Sequence, residues 1–115
     1  MSETAIAGLR AMLQRSRVLP VVVIDSEELA VELGRVLFGA GMTAIEITLR
    51  TPAALAALRA LKAELPALTV AAGTIRSTRD LEAVREAGAD FAVSPGFTPR
   101  LSDCARDIEI PFLPG

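Results

Sequence analysis

The sequence predicts an α/β protein built on a parallel sheet, and three observations carry that prediction. From Val18 onward, short β-branched runs alternate with amphipathic stretches, the pattern left by successive strand–helix units. The apolar runs restart every 20 to 26 residues or about that, close to the length of one βα unit in a (β/α)₈ barrel. Helix-start devices stand between the runs, Thr-Pro twice among them, where a side-chain oxygen caps the helix and proline needs no N–H. With 115 residues and 51% hydrophobic composition, one domain spanning residues 1–115 without a linker is expected. Five strands fit either an open α/β sheet or the first half of a barrel.

The opening segment MSETAIAGLRAMLQRSR spaces Ile6, Leu9 and Leu13 at helical intervals with charges between them, so a helix is expected rather than a signal peptide. The strands expected after it are Val18–Ile24, Ala44–Leu49, Thr69–Gly73, Phe91–Ser94 and Ile110–Leu113. Between the first two, Asp25 and Glu28 form a capping-box pattern. Leu29, Leu33, Val36, Leu37 and Ala40 would line the buried side of that helix, with Gly41 as its stop. Thr51-Pro52 would open the next helix, with Leu55, Leu58, Leu61 and Leu65 on one side and Pro66 as its end. Ser77 or Thr78 would cap a helix carrying Leu81 and Val84 that ends at Ala87-Gly88. Thr98-Pro99 would cap the last, before Leu101, Ala105 and Ile108.

Composition narrows the function classes. A net charge of −2 with scattered basic residues argues against a nucleic-acid surface or a polybasic membrane patch. The longest apolar run, VLPVVVI, falls far short of the roughly 20 residues that span a bilayer, so a soluble protein with a small-molecule partner is expected. One cysteine and no histidine leave no intrachain disulfide and no usual metal cluster. A reducing, cytoplasmic setting and no metal or other cofactor follow as expectations.

In parallel sheets chemistry collects at the carboxyl ends of the strands. Those positions hold Asp25, then Glu46, Thr48 and Arg50, then Gly73-Thr74, then Ser94-Pro95-Gly96. Period two puts Ala44, Glu46 and Thr48 on one face and Ile45, Ile47 and Leu49 on the other. A carboxylate inside such a run is expensive to bury. Glu46 is therefore a candidate general acid/base whose pKa burial would raise, against the alternative of a structural carboxylate paired with an arginine. Arg50 offers a fork of donors to a carboxylate or phosphate, unless it is an exposed loop arginine. Thr74 offers a hydroxyl to an anion, although a turn residue is the simpler explanation. Pro95 reads first as turn geometry and second as a pocket wall. Lys62, the one lysine in the sequence, would extend to solvent beside its leucine stripe, away from the catalytic strand ends. Cys104 reads as a small helix filler, since no histidine exists to activate it.

These segments resemble the amino-terminal part of the 2-keto-3-deoxy-6-phosphogluconate aldolases, which include the 4-hydroxy-2-oxoglutarate aldolases. The resemblance runs through VLPVVVI, AIEITLRTP, VAAGTI, FAVSPGFT and IPFLPG, in order and at matching spacing. It implies a metal-independent class I aldolase on a (β/α)₈ barrel, trimeric in the family, cleaving a 2-keto-3-deoxy sugar acid phosphate to pyruvate and glyceraldehyde 3-phosphate. By that resemblance Glu46 matches the general acid/base, while Arg50 and Thr74 match the residues that hold the pyruvate carboxylate. The family's Schiff-base lysine lies in a K-F-F-P type motif on the sixth strand, which Lys62 does not match. The 115-residue chain is therefore expected to be inactive alone and to act with a complementing carboxyl-terminal half or in a homo-oligomer.

Another class of protein also suits this length: a self-contained five-stranded binding or signalling module of doubly wound type. Such a sheet splits its helices between both faces, whereas a half barrel keeps the helices that follow strands one to four on one face. In a half barrel the inner face, with PVVVI and FAV among its segments, would stand uncovered and favour self-association.

Overall fold

The alternation of side chains along each strand creates two faces, and the computed structural model, which describes residues 1–115, buries them against different partners. The elements are α1 (Glu3–Ser16), β1 (Val21–Val22), α2 (Glu27–Gly39), β2 (Ala44–Thr48), α3 (Ala54–Glu64), β3 (Thr69–Gly73), α4 (Thr78–Glu86), β4 (Phe91–Ser94), α5 (Pro99–Asp107) and β5 (Phe112–Pro114). The strands form one sheet in the order β1-β2-β3-β4-β5, with every neighbouring pair parallel. Right-handed crossovers between sequential neighbours require α2 to α5 to share one side. They do: Ala30 of α2, Leu58 and Leu61 of α3, Leu81 and Val84 of α4, and Leu101 and Ala105 of α5 join one core with Ile45, Ile47, Val70, Ala72, Ala92 and Phe112. That placement excludes the doubly wound sheet and leaves half of a barrel.

The other face carries Glu46, Thr48, Ala71, Gly73, Phe91 and Val93. Helix α1 closes one end of it, packing Leu9 on Ala71 and Phe91 with Met12, Leu13 and Leu19 alongside. The expectation of an uncovered FAV segment is thus corrected at Phe91, which α1 buries completely. At β1 it holds, with Val21 60% and Val23 51% exposed.

Several boundaries differ from expectation for local reasons. Strand β1 is shorter because it is an edge paired only with β2; Pro20 lends its carbonyl to the Glu46 N–H at 2.8 Å but has no N–H to give back. Strand β5 begins at Phe112 because the Ile110 N–H turns back to the Ala105 carbonyl at 3.0 Å, closing α5. Ser26, not Asp25, caps α2, accepting from the Leu29 N–H at 3.1 Å. The buried side of α2 is Ala30 and Gly34, with Leu33 and Leu37 packed beside them, while Leu29 and Val36 face solvent. Gly34 explains the rotation: a Cβ there would sit 2.6 Å from the Leu61 side chain, so α2 meets α3 through its smallest residue. Gly41, at φ 95°, ends α2 as expected.

Thr51 does not cap α3, whose flanking residue Ala53 makes no side-chain cap. Its hydroxyl instead donates to the Ile24 carbonyl at 2.5 Å, tying the β2–α3 loop to the end of β1. The other two caps match expectation: Ser77 accepts from the Asp80 N–H at 3.1 Å, and Thr98 from Leu101 at 3.1 Å with Pro99 opening α5.

Candidate functional site

Glu46 sits in the middle of β2, paired with Val21 on one side and Ala71 on the other. Its side chain follows the polar face of the strand, with 7% of the residue exposed. The carboxylate leans toward the carboxyl end of β3 and lies over Gly73, whose missing Cβ would come within 2.8 Å of Glu46 Cδ and overlap Oε1 outright. No hydrogen bond or ion pair within the chain holds it, so the structural alternative, a carboxylate paired with an arginine, is not what is seen. Burial pushes its pKa above the usual carboxylate range, and the Arg50 cation draws it part of the way back.

Arg50 follows β2 by two residues and is exposed. Its Nε donates to Thr74 Oγ1 at 3.3 Å, which orients the guanidinium and leaves both terminal nitrogens without a partner in the chain. Since Thr74 accepts that bond, its own O–H is available to a further acceptor. Thr74 takes φ 61°, a left-handed conformation that costs a β-branched residue on the order of 1–3 kcal/mol. The neighbours on both sides hold it there: Leu49 N–H donates to the Gly73 carbonyl at 2.9 Å, and Ile75 N–H to the Val93 carbonyl at 3.2 Å. Without that turn the hydroxyl would not face Arg50.

The carboxyl ends of the strands therefore bring together a buried carboxylate, a free guanidinium fork and a hydroxyl donor. Thr48 lines the same face, its hydroxyl donating to the Val22 carbonyl at 3.2 Å. Pro95 lies exposed in the loop after β4, at the same end of the sheet, in a turn closed by Ser94 Oγ donating to the Gly96 carbonyl at 2.7 Å. Asp25 is exposed and caps nothing. Two features were not anticipated from the sequence: Gly73 as the seat of the carboxylate, and the strained turn at Thr74. An A-G-T run that closes a strand is the one signal that could have pointed to them.

Lys62 lies elsewhere and is not extended to solvent as expected. Its Nζ donates to Asp90 Oδ2 at 2.8 Å and to the Leu68 carbonyl at 3.0 Å, and the same Asp90 oxygen accepts from the Val70 N–H at 2.7 Å. This cluster pins the amino ends of β3 and β4, opposite the site. Cys104 is half-buried on α5; burial first, then Glu82 and Asp107, push its thiol pKa up, the reverse of what a nucleophile needs.

A family model for KDPG and KHG aldolases matches residues 9–115. The chain is 42% identical over 113 residues to the 2-dehydro-3-deoxy-phosphogluconate aldolase of Pseudomonas aeruginosa, covering 98% of this chain and 51% of that protein. Among solved structures, the 2-keto-3-deoxy-6-phosphogluconate aldolase of Zymomonas mobilis, determined with 3-phosphoglycerate, superposes with a TM-score of 0.88 at 36% identity, over 93% of this chain and 51% of that one. The KDPG aldolase of Legionella pneumophila, with pyruvate captured as a covalent carbinolamine, does so with a TM-score of 0.87 at 41% identity, over 91% and 51%. The chain thus spans about half the length of these relatives. Five sequential parallel strands, helices on one side and a match along nearly all of its length establish that this chain belongs to the KDPG and KHG aldolase family, covering the amino-terminal half of the barrel.

Proposed function

We propose that residues 1–115 form one domain that supplies the proton-transfer and carboxylate-binding half of a class I aldolase. The substrate is a 2-keto-3-deoxy sugar acid phosphate, cleaved to pyruvate and glyceraldehyde 3-phosphate, or the related 4-hydroxy-2-oxoglutarate. The observation that carries this reading is the grouping of a buried, unpaired Glu46 carboxylate with an Arg50 fork oriented by Thr74. The terminal nitrogens of Arg50 and the Thr74 hydroxyl would hold the keto-acid carboxylate.

In the proposed cycle a lysine amine adds to the C2 carbonyl, and loss of water gives an iminium. The C4 hydroxyl loses its proton, the C3–C4 bond breaks, and its electron pair passes to the iminium as the aldehyde leaves and an enamine remains. A proton added at C3 and water added at C2 then release pyruvate and the free amine. Glu46 moves these protons through water, because burial makes its carboxylate a stronger base than an ordinary one. The Legionella relative, with its covalent carbinolamine of pyruvate, supports the first step, since that adduct precedes the iminium.

The amine comes from the later strands of the barrel, where the family carries its lysine; Lys62 is bound to Asp90 at the opposite end of the sheet. The 115-residue chain alone then performs no turnover, and activity needs the complementing half, within a cytoplasmic homo-oligomer that is trimeric in the family and uses no cofactor. Pyruvate and borohydride test this by mass spectrometry. The lone chain should keep its mass, whereas its mixture with a second half from a relative should gain a reduced pyruvate adduct on that half's lysine. An adduct on Lys62 of the lone chain would refute the assignment.

A further inference from the structure

We infer that Gly73 is a positioning residue for the proton-transfer step: the absence of a side chain there creates the slot in which the Glu46 carboxylate is seated. The inference rests on the proposed role of Glu46 and adds to it the element that sets where its protons are delivered. In the parallel register Thr48 pairs with Gly73, two positions beyond the Glu46–Ala71 pair. Continuing the Ala71–Phe91 and Ala72–Ala92 register by one residue brings Gly73 beside Val93. All three point inward, so a slot one residue wide opens between Thr48 and Val93 where a Cβ is missing.

The Glu46 side chain crosses from its own layer into that slot. A Cβ on residue 73 would overlap Oε1, lie 2.8 Å from Cδ and 3.1 Å from Cγ. All three nearest atoms belong to Glu46 and none to backbone, so the slot is matched to this one side chain. Gly73 is absent from the positive-φ glycines, so backbone conformation does not require glycine here. An alanine would be accepted by the strand and would displace the carboxylate. The glutamate would swing out of the slot toward solvent, away from the turn that presents Thr74 and Arg50. A displacement of about 1 Å at a catalytic group is enough to cost 10²-fold in rate.

Gly73→Ala in the 115-residue chain, followed by carbon-detected NMR titration of the Glu46 carboxyl, provides the test. The titration midpoint should fall toward the ordinary carboxylate range, with the fold intact by circular dichroism. Glu46→Asp on the Gly73→Ala background, one methylene shorter, should relieve the overlap. In the complemented enzyme Gly73→Ala should slow pyruvate methyl exchange by about 10²-fold while borohydride trapping of pyruvate persists. An unchanged midpoint together with an unchanged exchange rate would overturn the role of Gly73. If Gly73→Ala fails to fold, the double variant must restore folding; failure there too would mean that the overlap is not with Glu46 and would equally overturn it. The role of Glu46 itself fails separately, if Glu46→Gln leaves exchange unchanged in the enzyme with Gly73 intact.

Discussion

Lys62 is the sharpest place to separate structure from chemistry, because the one lysine of this chain invites the imine-forming role that the proposed cycle gives to a lysine of the later strands. Its ammonium bridges Asp90 at 2.8 Å and the Leu68 carbonyl at 3.0 Å, with the two side chains only 22% and 31% exposed. Lys62→Met keeps most of the aliphatic stem, which packs at 3.7 Å from the position of a Gly88 Cβ, and removes the ammonium with both of its hydrogen bonds. Asp90 then retains a single partner, the Val70 N–H at 2.7 Å. Breaking a fully buried pair costs about 3–5 kcal/mol and an exposed one about 0–1, so this half-buried pair should cost about 2 kcal/mol. For a domain of this size that is a fall in Tm of roughly 6 to 12 °C. Denaturant unfolding of the two chains side by side measures the difference, and pyruvate with borohydride measures the chemistry. A stable Lys62→Met chain would refute the pinning role, and loss of a pyruvate adduct on substitution would refute its separation from the site.

Other expectations follow from the same geometry. The raised pKa of Glu46 means that the folded state holds its proton to higher pH than the unfolded chain. Its burial therefore costs nothing below the unfolded pKa, and stability is lost as pH rises through the folded value. Glu46→Gln should accordingly gain stability relative to the parent chain as pH is raised from 4 to 8 or about that range, and a parallel pair of stability–pH curves would contradict this. Arg50→Gln removes the one attraction that lowers the Glu46 pKa, so NMR titration should show its midpoint shifted further up; a downward shift would sink the coupling. The edges at β1 and β5 present unpaired backbone groups beside exposed Val21, Val23 and Leu113, so light scattering of the 115-residue chain should show association that grows with concentration. A monomer over a hundredfold range or thereabouts would contradict that.

Much of the site was legible because strands alternate with a period of two. Once Ile45, Ile47 and Leu49 are assigned to the helix side, Glu46 and Thr48 must face inward, and Arg50 and Thr74 fall at neighbouring strand ends. The regular spacing of the βα units fitted an open sheet and a half barrel alike, and the resemblance to the aldolases pointed to the sequential strand order of the half barrel. What stayed hidden depends on contacts between residues distant in sequence. The Lys62–Asp90 pair joins positions 28 apart, and no local pattern announces it. The seat at Gly73 is defined by a side chain on another strand, and the left-handed turn at Thr74 is imposed by hydrogen bonds from residues on both sides. The cap of α2 moved by one residue because serine and aspartate stand side by side, and both can cap. Thr51 was recruited by the Ile24 carbonyl, a partner 27 residues away, which a local capping pattern does not weigh.

The proposed reaction turns on the proton that Glu46 moves. In the complemented enzyme, exchange of the pyruvate methyl protons into deuterated water, followed by proton NMR, reports that transfer, and borohydride trapping reports the imine separately. With Glu46→Gln exchange should be slower by about 10² to 10⁴-fold, the usual loss for a positioned general base, while borohydride still traps pyruvate on the lysine. Exchange at the parent rate in the Glu46→Gln enzyme would contradict it.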